Sequence, residues 1–144
     1  MDFIDLKIVD ILQNDGRITM KELGQRVGLT SPATIERVKK LEEAGIIDGY
    51  KAIINTKLAG LPIRVFIQLA AGNTSPSLIS DFAQKHRNIV NCHRVAGAVT
   101  HLVEAVLPNM RELESLLDEI SSLGVAQPFI VLASPVVEKA LVLP

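Results

Sequence analysis

The sequence predicts an α+β protein in two parts: three helices, then strand, helix, strand, strand, helix, strand. Three observations carry this. Up to about residue 47 the apolar residues recur at helical spacing, each run opened by a capping residue and closed by turn chemistry. After Gly60-Leu61-Pro62 the pattern changes to β-branched runs alternating with amphipathic helices. Trp is absent, and Tyr occurs once and Phe four times among 144 residues, so the core is aliphatic. A chain of this length buries roughly 68–70% of its unfolded surface and folds without staples.

Asp2 is the expected cap of the first helix, with Asp5 as its capping-box partner. Ile4, Ile8, Ile11 and Leu12 supply the inner face, and Asn14-Asp15-Gly16 ends the helix. Thr19 caps the second helix, with Glu22 placed for another capping box, Leu23 and Val27 inward and Gly28 as the stop. Thr30 caps the third. Pro32 sits in its first turn, where a missing N–H costs little. Ile35, Val38 and Leu41 lead to an Ala44-Gly45 stop, and the chain then turns through Tyr50 into a short strand, Lys51–Ile54. The expected boundaries are a helical domain over 1–50, a linker strand over 51–61 and a second domain over 62–144.

In the second domain Ile63–Ala71 reads as a strand. Thr74-Ser75-Pro76 opens a helix with Ile79, Phe82 and Ala83 inward. Ile89–Ala96 and Val99–Leu107 are strands joined around Gly97. Pro108-Asn109 opens a helix with Met110, Leu113, Leu117 and Ile120 on one face, and Gly124 leads into a final strand, Val125–Ser134. This order is the ferredoxin-like split βαβ arrangement (βαββαβ), an antiparallel sheet with two helices on one face. Val65–Ala71 is apolar on both alternating sets, and Phe129–Ala133 is wholly apolar. A solvated sheet face should alternate, so the second face is expected to pack against another subunit.

Composition excludes several classes. A single cysteine, Cys92, rules out an internal disulfide and a Cys-based zinc cluster. Three scattered histidines make no metal motif. An acidic start and apolar runs far short of the ~20 residues of a membrane span point to a cytoplasmic protein without a membrane partner. No catalytic residue and no cofactor is assigned. His86 near a helix end suits the helix dipole. Cys92 and His93 point to opposite faces of a strand, while His93 and His101 are expected close together across a hairpin. The net charge is −1, but residues 2–15 hold four aspartates against Lys7, and residues 17–57 hold eight basic side chains against five acidic ones.

That basic stretch coincides with the strongest motif. Thr19–Ile47 has helix-turn-helix spacing, whose second helix enters a DNA major groove. On it Thr34, Val38, Leu41 and Gly45 share the side that should face the core. Pro32, Glu36, Lys39, Lys40 and Glu43 lie opposite, with Ser31, Ile35 and Arg37 at the margins. Readout comes from the N-terminal turns, so Ser31, Ile35 and Glu36 are the base-edge candidates. Ile35 suits a thymine methyl and Glu36 a cytosine amino group. Arg37, Lys39 and Lys40 suit phosphates.

The run from Asp2 to Asn55 resembles the Lrp/AsnC family of transcriptional regulators. The markers are Asp2 and Asp5, Gly16-Arg17, Glu22-Leu23, Val27-Gly28-Leu29, Arg37-Val38, Leu41-Glu42, Gly45-Ile46-Ile47 and Gly49-Tyr50. The rest of the chain fits the family's second module. The resemblance implies a winged helix-turn-helix that binds double-stranded DNA. Pro32 and Lys51 complete the expected DNA-binding set. The resemblance also implies a C-terminal domain that forms a homodimer, assembles further to a tetramer or octamer, and in many members binds an amino acid. The loop Gly97-Ala98-Val99-Thr100 is the expected effector or dimer–dimer contact. Amino-acid-responsive members usually carry an Asp shortly after this Gly. Here Thr100 stands in its place, and an ammonium group removed from water needs a charged or multiple partner. Free amino acids are therefore expected to bind weakly or not at all. Two alternatives share the architecture: a tetrapyrrole-precursor decarboxylase using His93, Arg94 and His101, and a DNA-organising protein of low sequence specificity.

Overall fold

The computed structural model describes residues 1–144. It contains helices α1 (Phe3–Asn14), α2 (Met20–Val27) and α3 (Ser31–Glu43), then strand β1 (Ile63–Ala70), helix α4 (Pro76–Lys85), strands β2 (Ile89–Arg94) and β3 (His101–Leu107), helix α5 (Met110–Ile120) and strand β4 (Val125–Ile130). The chain divides into two units. One is Met1–Ala52 together with Val136–Pro144, and the other is Ile53–Pro135. The last nine residues, expected with the second domain, thus belong to the helical head.

In the head the caps set the helix starts. The Asp2 carboxylate accepts from the Asp5 N–H at 2.9 Å, and the Asp5 carboxylate accepts from the Asp2 N–H at 3.0 Å, a complete capping box. The second box forms only by half. Thr19 Oγ1 accepts from the Glu22 N–H at 3.1 Å, but the Glu22 carboxylate turns to Arg26, one turn on, at 2.7 Å. A charged partner at i+4 outcompetes a neutral N–H. Ile8, Val9 and Leu12 of α1 meet Ile18, Leu23, Val38 and Leu41 in one aliphatic core. Ile4 and Ile11, expected inside, lie only partly buried at its edge, and Val9 takes the deeper place.

α2 and α3 approach at Gly24. A Cβ there would lie 2.7 Å from the Leu29 carbonyl oxygen and 2.8 Å from Thr34 Oγ1. The buried Thr34 hydroxyl donates to Thr30 O at 2.8 Å, so the contact leaves no polar atom unpaired. The turn closes at Gly28 (φ 76°), and Leu29 N–H bonds Gly24 O at 2.8 Å. Gly45 follows the end of α3 at φ 70°, as the Ala44-Gly45 stop predicts, but it is exposed rather than turned to the core, where Ile47 packs. Lys51–Ile54 is not a strand either. A strand requires a ladder partner, the head contains none, and Ile53 and Ile54 are exposed.

The second unit is a four-stranded antiparallel sheet in the order β2-β3-β1-β4. Its helix-covered face carries Val65, Ile67 and Leu69 of β1 and Val103, Ala105 and Leu107 of β3, packed with Ile79, Leu113, Leu116 and Ile120. The stripe of α5 centres on Leu116. Leu117 is partly buried, and Met110, in the first turn, is half-exposed rather than inward. Gly124 is required at the entry to β4, because a Cβ would collide with Ala70 O and sit 2.8 Å from Ala71 Cα. β4 stops at Ile130, earlier than the apolar run suggests. Its partner β1 begins at Ile63 behind Pro62, so the ladder ends with Val131 N–H on Arg64 O at 2.9 Å. β2 and β3 are likewise shorter than expected, since residues 95–100 form the connecting loop.

On the other sheet face Phe66 faces Phe129 across β1 and β4, each nearly half-exposed. Glu104 accepts from Arg64 and, at 2.7 Å, from Asn91 Nδ2.

Gly24→Ala tests the helix approach. Overpacking costs about 1–3 kcal/mol, against the ~1 kcal/mol by which alanine favours a helix over glycine. Thermal melts should show a net loss, with the head melting earlier and the sheet unit unchanged.

Candidate nucleic-acid interface

α3 presents two different faces. Thr34, Val38 and Leu41 are buried, while Pro32, Ile35, Glu36, Lys39 and Lys40 are exposed and Ser31, at the helix start, is partly so. Ile35 decides how the first turns are read. It was expected both in the apolar pattern and at the margin of the outer face, and it is 48% exposed. The head therefore leaves an aliphatic side chain uncovered in the first turns of α3, beside Glu36.

The cations are not equivalent. Arg37, expected to meet phosphate, folds back onto α1. Its Nη1 lies 2.7 Å from Asp2 Oδ2 and 2.9 Å from Asp5 Oδ1. The two carboxylates that cap α1 thus also hold the middle of α3. Hydrogen bonding from the Asp5 N–H, then from Arg37, keeps the Asp2 carboxyl below its ordinary range, and the two aspartates raise Arg37 in turn. Lys39 Nζ lies 3.8 Å from Glu43 in an exposed i,i+4 pair, an arrangement that contributes little. Lys40 makes no ion pair. Lys51 is exposed in the irregular stretch after Tyr50.

Tyr50 pins the far end of α3. Its hydroxyl donates to Glu42 at 2.9 Å, and its ring lies against Gly16, where a Cβ would be 3.5 Å from Cδ1. Burial, then the Glu42 carboxylate, push its pKa up to about 12. Neither the Arg37 pair nor the Tyr50 contact was read from the sequence. The only signal for the first was the unused oxygen on each capping aspartate.

In the sheet unit, the loop between β2 and β3 closes with Val95 N–H on Thr100 O at 2.9 Å. Thr100 is fully engaged. Its Oγ1 donates to Leu69 O at 2.9 Å, accepts from the Ala71 N–H at 3.0 Å, and lies 3.0 Å from His101 Nδ1. The one hydroxyl proton goes to Leu69, so His101 Nδ1 is the donor of the third contact. Gly97 and Ala98 are exposed and Val99 partly so, and a side chain at Gly97 would meet nothing within 4 Å. This chain's own fold sets no steric requirement for glycine there.

His93 pairs with Leu102, on the open face, whereas His101 is buried toward the helices. Strand parity puts the two histidines on opposite faces, contrary to the expected approach. Burial, then the Arg94 charge, lower the His101 pKa. Cys92 faces the core, and burial raises its thiol pKa. His86 ends α4 with Nδ1 accepting from the Asn88 N–H at 3.3 Å and Nε2 3.6 Å from Glu119. No three metal-binding side chains converge, and no helix is long and apolar enough to cross a membrane.

Residues 1–48 match the family model of winged helix-turn-helix DNA-binding domains, and residues 64–140 match that of the Lrp/AsnC ligand binding domain. An uncharacterized HTH-type transcriptional regulator of Bacillus subtilis (strain 168) is 36% identical over 134 residues, covering 93% of this chain and 95% of that protein. The leucine-responsive regulatory protein of Escherichia coli (strain K12) is 36% identical over 122 residues, covering 83% of this chain and 74% of its own length. A transcriptional regulator of Neisseria meningitidis, solved as its L-Met complex, superposes with a TM-score of 0.91 at 27% identity, covering 98% of this chain and 96% of the other.

The Arg37 pair has a pH signature. A carboxyl held below its unfolded value stabilises the fold above about pH 4 and loses that contribution as it protonates. Arg37→Gln should lower the melting temperature of the head at pH 7, and the difference from the parent should shrink as pH falls below about 4. Equal melting temperatures at pH 7 would show the pair to be without effect.

Proposed function

The chain belongs to the Lrp/AsnC family of DNA-binding transcriptional regulators, and we propose that it reads a two-fold symmetric operator as a dimer, with the first turns of α3 at the base edges. One observation carries this: the outer face of α3 is free, and in its first turns it exposes Ile35 beside Glu36. Ile35 suits a thymine methyl and Glu36 a cytosine amino group. Lys40, with Lys39 and Lys51, provides phosphate contacts. Arg37 is a positioning residue that holds α3 on the capped end of α1.

The dimer uses the open sheet face. Support comes from the half-exposed Phe66–Phe129 pair and from Leu102 on the same face. Arg64, Glu104 and Asn91 already satisfy one another, so a second copy can cover them without stranding a charge. Assembly to a tetramer or octamer engages further surfaces, among them the exposed Gly97–Ala98 tip. The Neisseria meningitidis regulator was solved with L-Met. In this chain Thr100 spends its hydroxyl on Leu69, Ala71 and His101, which argues against an ammonium site there. A decarboxylase site from His93, Arg94 and His101 has no geometric support, because the two histidines face opposite sides of the sheet.

Two substitutions separate the proposed roles. Lys40→Ala should weaken binding to all duplexes and reduce the salt slope by about two for a dimer, at ~0.9 per phosphate contact. Ile35→Ala should lower the preference for the selected site with little change in slope. A folded Lys40→Ala protein with unchanged affinity and slope would remove Lys40 from the interface.

Calorimetry with the twenty protein amino acids should show no micromolar binding. Thr100→Asp places a carboxylate against Leu69 O, so it should lower the melting temperature rather than create an ammonium site. A micromolar dissociation constant for the parent protein, lost on Thr100→Val, would reverse this assignment.

A further inference from the structure

The last nine residues have no regular structure, yet they form part of the helical head. The chain bends at Glu138, the one non-glycine residue with positive φ (45°), a conformation that side chains disfavour and surrounding contacts must hold. Three residues on, the chain meets α1. Gln13 Nε2 donates to Leu141 O at 3.1 Å, and Gln13 Oε1 accepts from the Leu141 N–H at 2.8 Å. One side-chain amide thus meets both backbone groups of Leu141, as a neighbouring strand would. Leu143 packs on the head core, while Val142 between them is 97% exposed. Leu141 and Leu143 line a cleft with Val9, Leu12 and Tyr50 on one side of Gln13, and another with Phe3 and Leu6 on the other.

We propose that the groove along α1 is a binding site for the chain's own C-terminal segment, seated in extended form by Gln13, and that this gives the head a second tether. The occupant is identified by its seat: the segment is already held there by two hydrogen bonds and Leu143. It also needs little affinity, because attachment through Pro135 gives it a high effective concentration. The two tethers are neighbours at both ends. In the sheet, β1 begins at Ile63 and β4 ends at Ile130, with Val131 N–H on Arg64 O at 2.9 Å. In the head, Tyr50 and Leu141 line the same cleft. A head on one flexible connection samples many orientations, whereas two adjacent connections narrow the range. The groove stands apart from the DNA reading; the consequence for DNA rests on it.

Hydrogen exchange of the full-length protein decides the groove. The Leu141 amide should be protected, and Gln13→Ala should speed its exchange roughly tenfold or more, with the helical circular dichroism unchanged. Exchange of Leu141 at the free-peptide rate in the parent protein would overturn the proposal. Mixed dimers identify whose tail is seated. Gln13→Ala chains are paired with isotopically distinct chains ending at Pro135. Leu141 should stay unprotected, and protection there would place the tail on the partner's head and overturn the same-chain form. For the tether, duplexes with varied half-site spacing are compared. Gln13→Ala should lower the preference for the best spacing severalfold while leaving single half-site affinity unchanged. An unchanged spacing preference overturns the tether. A protein that binds no duplex at all refutes the DNA reading, while the exchange result still decides the groove.

Discussion

Between α2 and α3 there is no room for a methyl group. The Gly24 position is closed by the Leu29 carbonyl and the Thr34 hydroxyl, and that closeness sets how α3 leaves the core. Two further contacts fix the same helix. Arg37 ties its middle to the capped start of α1, and Glu42 ties its end to Tyr50. Each consumes a charge that a reading of the sequence would assign to solvent or to phosphate. What remains on the outer face is Ile35, Glu36 and Lys40, with Lys39 in a loose exposed pair with Glu43. The position of the helix and the selection of its contacts are therefore one problem: side chains that orient α3 are unavailable to a partner, and those left over define what a partner meets.

The sheet unit solves a related problem. Its helix-covered face is continuous aliphatic packing, and its other face mixes aromatic and aliphatic surface with a polar group that is complete in itself, Arg64, Glu104 and Asn91. At the hairpin, Thr100 bolts the β2–β3 loop to the end of β1 through Leu69 and Ala71. The end of the loop is thereby anchored by a residue whose bonding capacity is spent, while Gly97 and Ala98 at its tip are exposed.

How far the structure was legible follows sequence distance. The caps at Asp2, Thr19, Thr30 and Asn109 act over three residues and were readable directly, as were the helix-turn-helix and the strand order. Boundaries failed where the partner, not the segment, decides. The apolar run after Ile130 extends no strand because, beyond the Val131–Arg64 bond, the next hydrogen-bonding position on the β1 side is Pro62, which has no N–H to donate, and Lys51–Ile54 has no neighbour in the head. The Arg37 pair spans thirty-two and thirty-five residues and the Gln13–Leu141 pair spans 128, separations at which no local spacing carries a signal. Among the proposed DNA contacts, exposure of Lys40 followed from helical periodicity, whereas Ile35 fell both in the apolar pattern and at the outer margin, and only the packing of the head leaves it uncovered. The inward turn of Arg37 did not follow from periodicity, because an arginine at a helix margin reaches either side.

The central claim is that two copies present two α3 helices related by a two-fold axis. Selection of binding sites from a random duplex pool by the full-length protein tests it most directly. The enriched sites should be imperfect inverted repeats whose half-sites lie one helical turn, ~34–36 Å, or a multiple of it apart. Enriched sites without inverted symmetry at any spacing would contradict it.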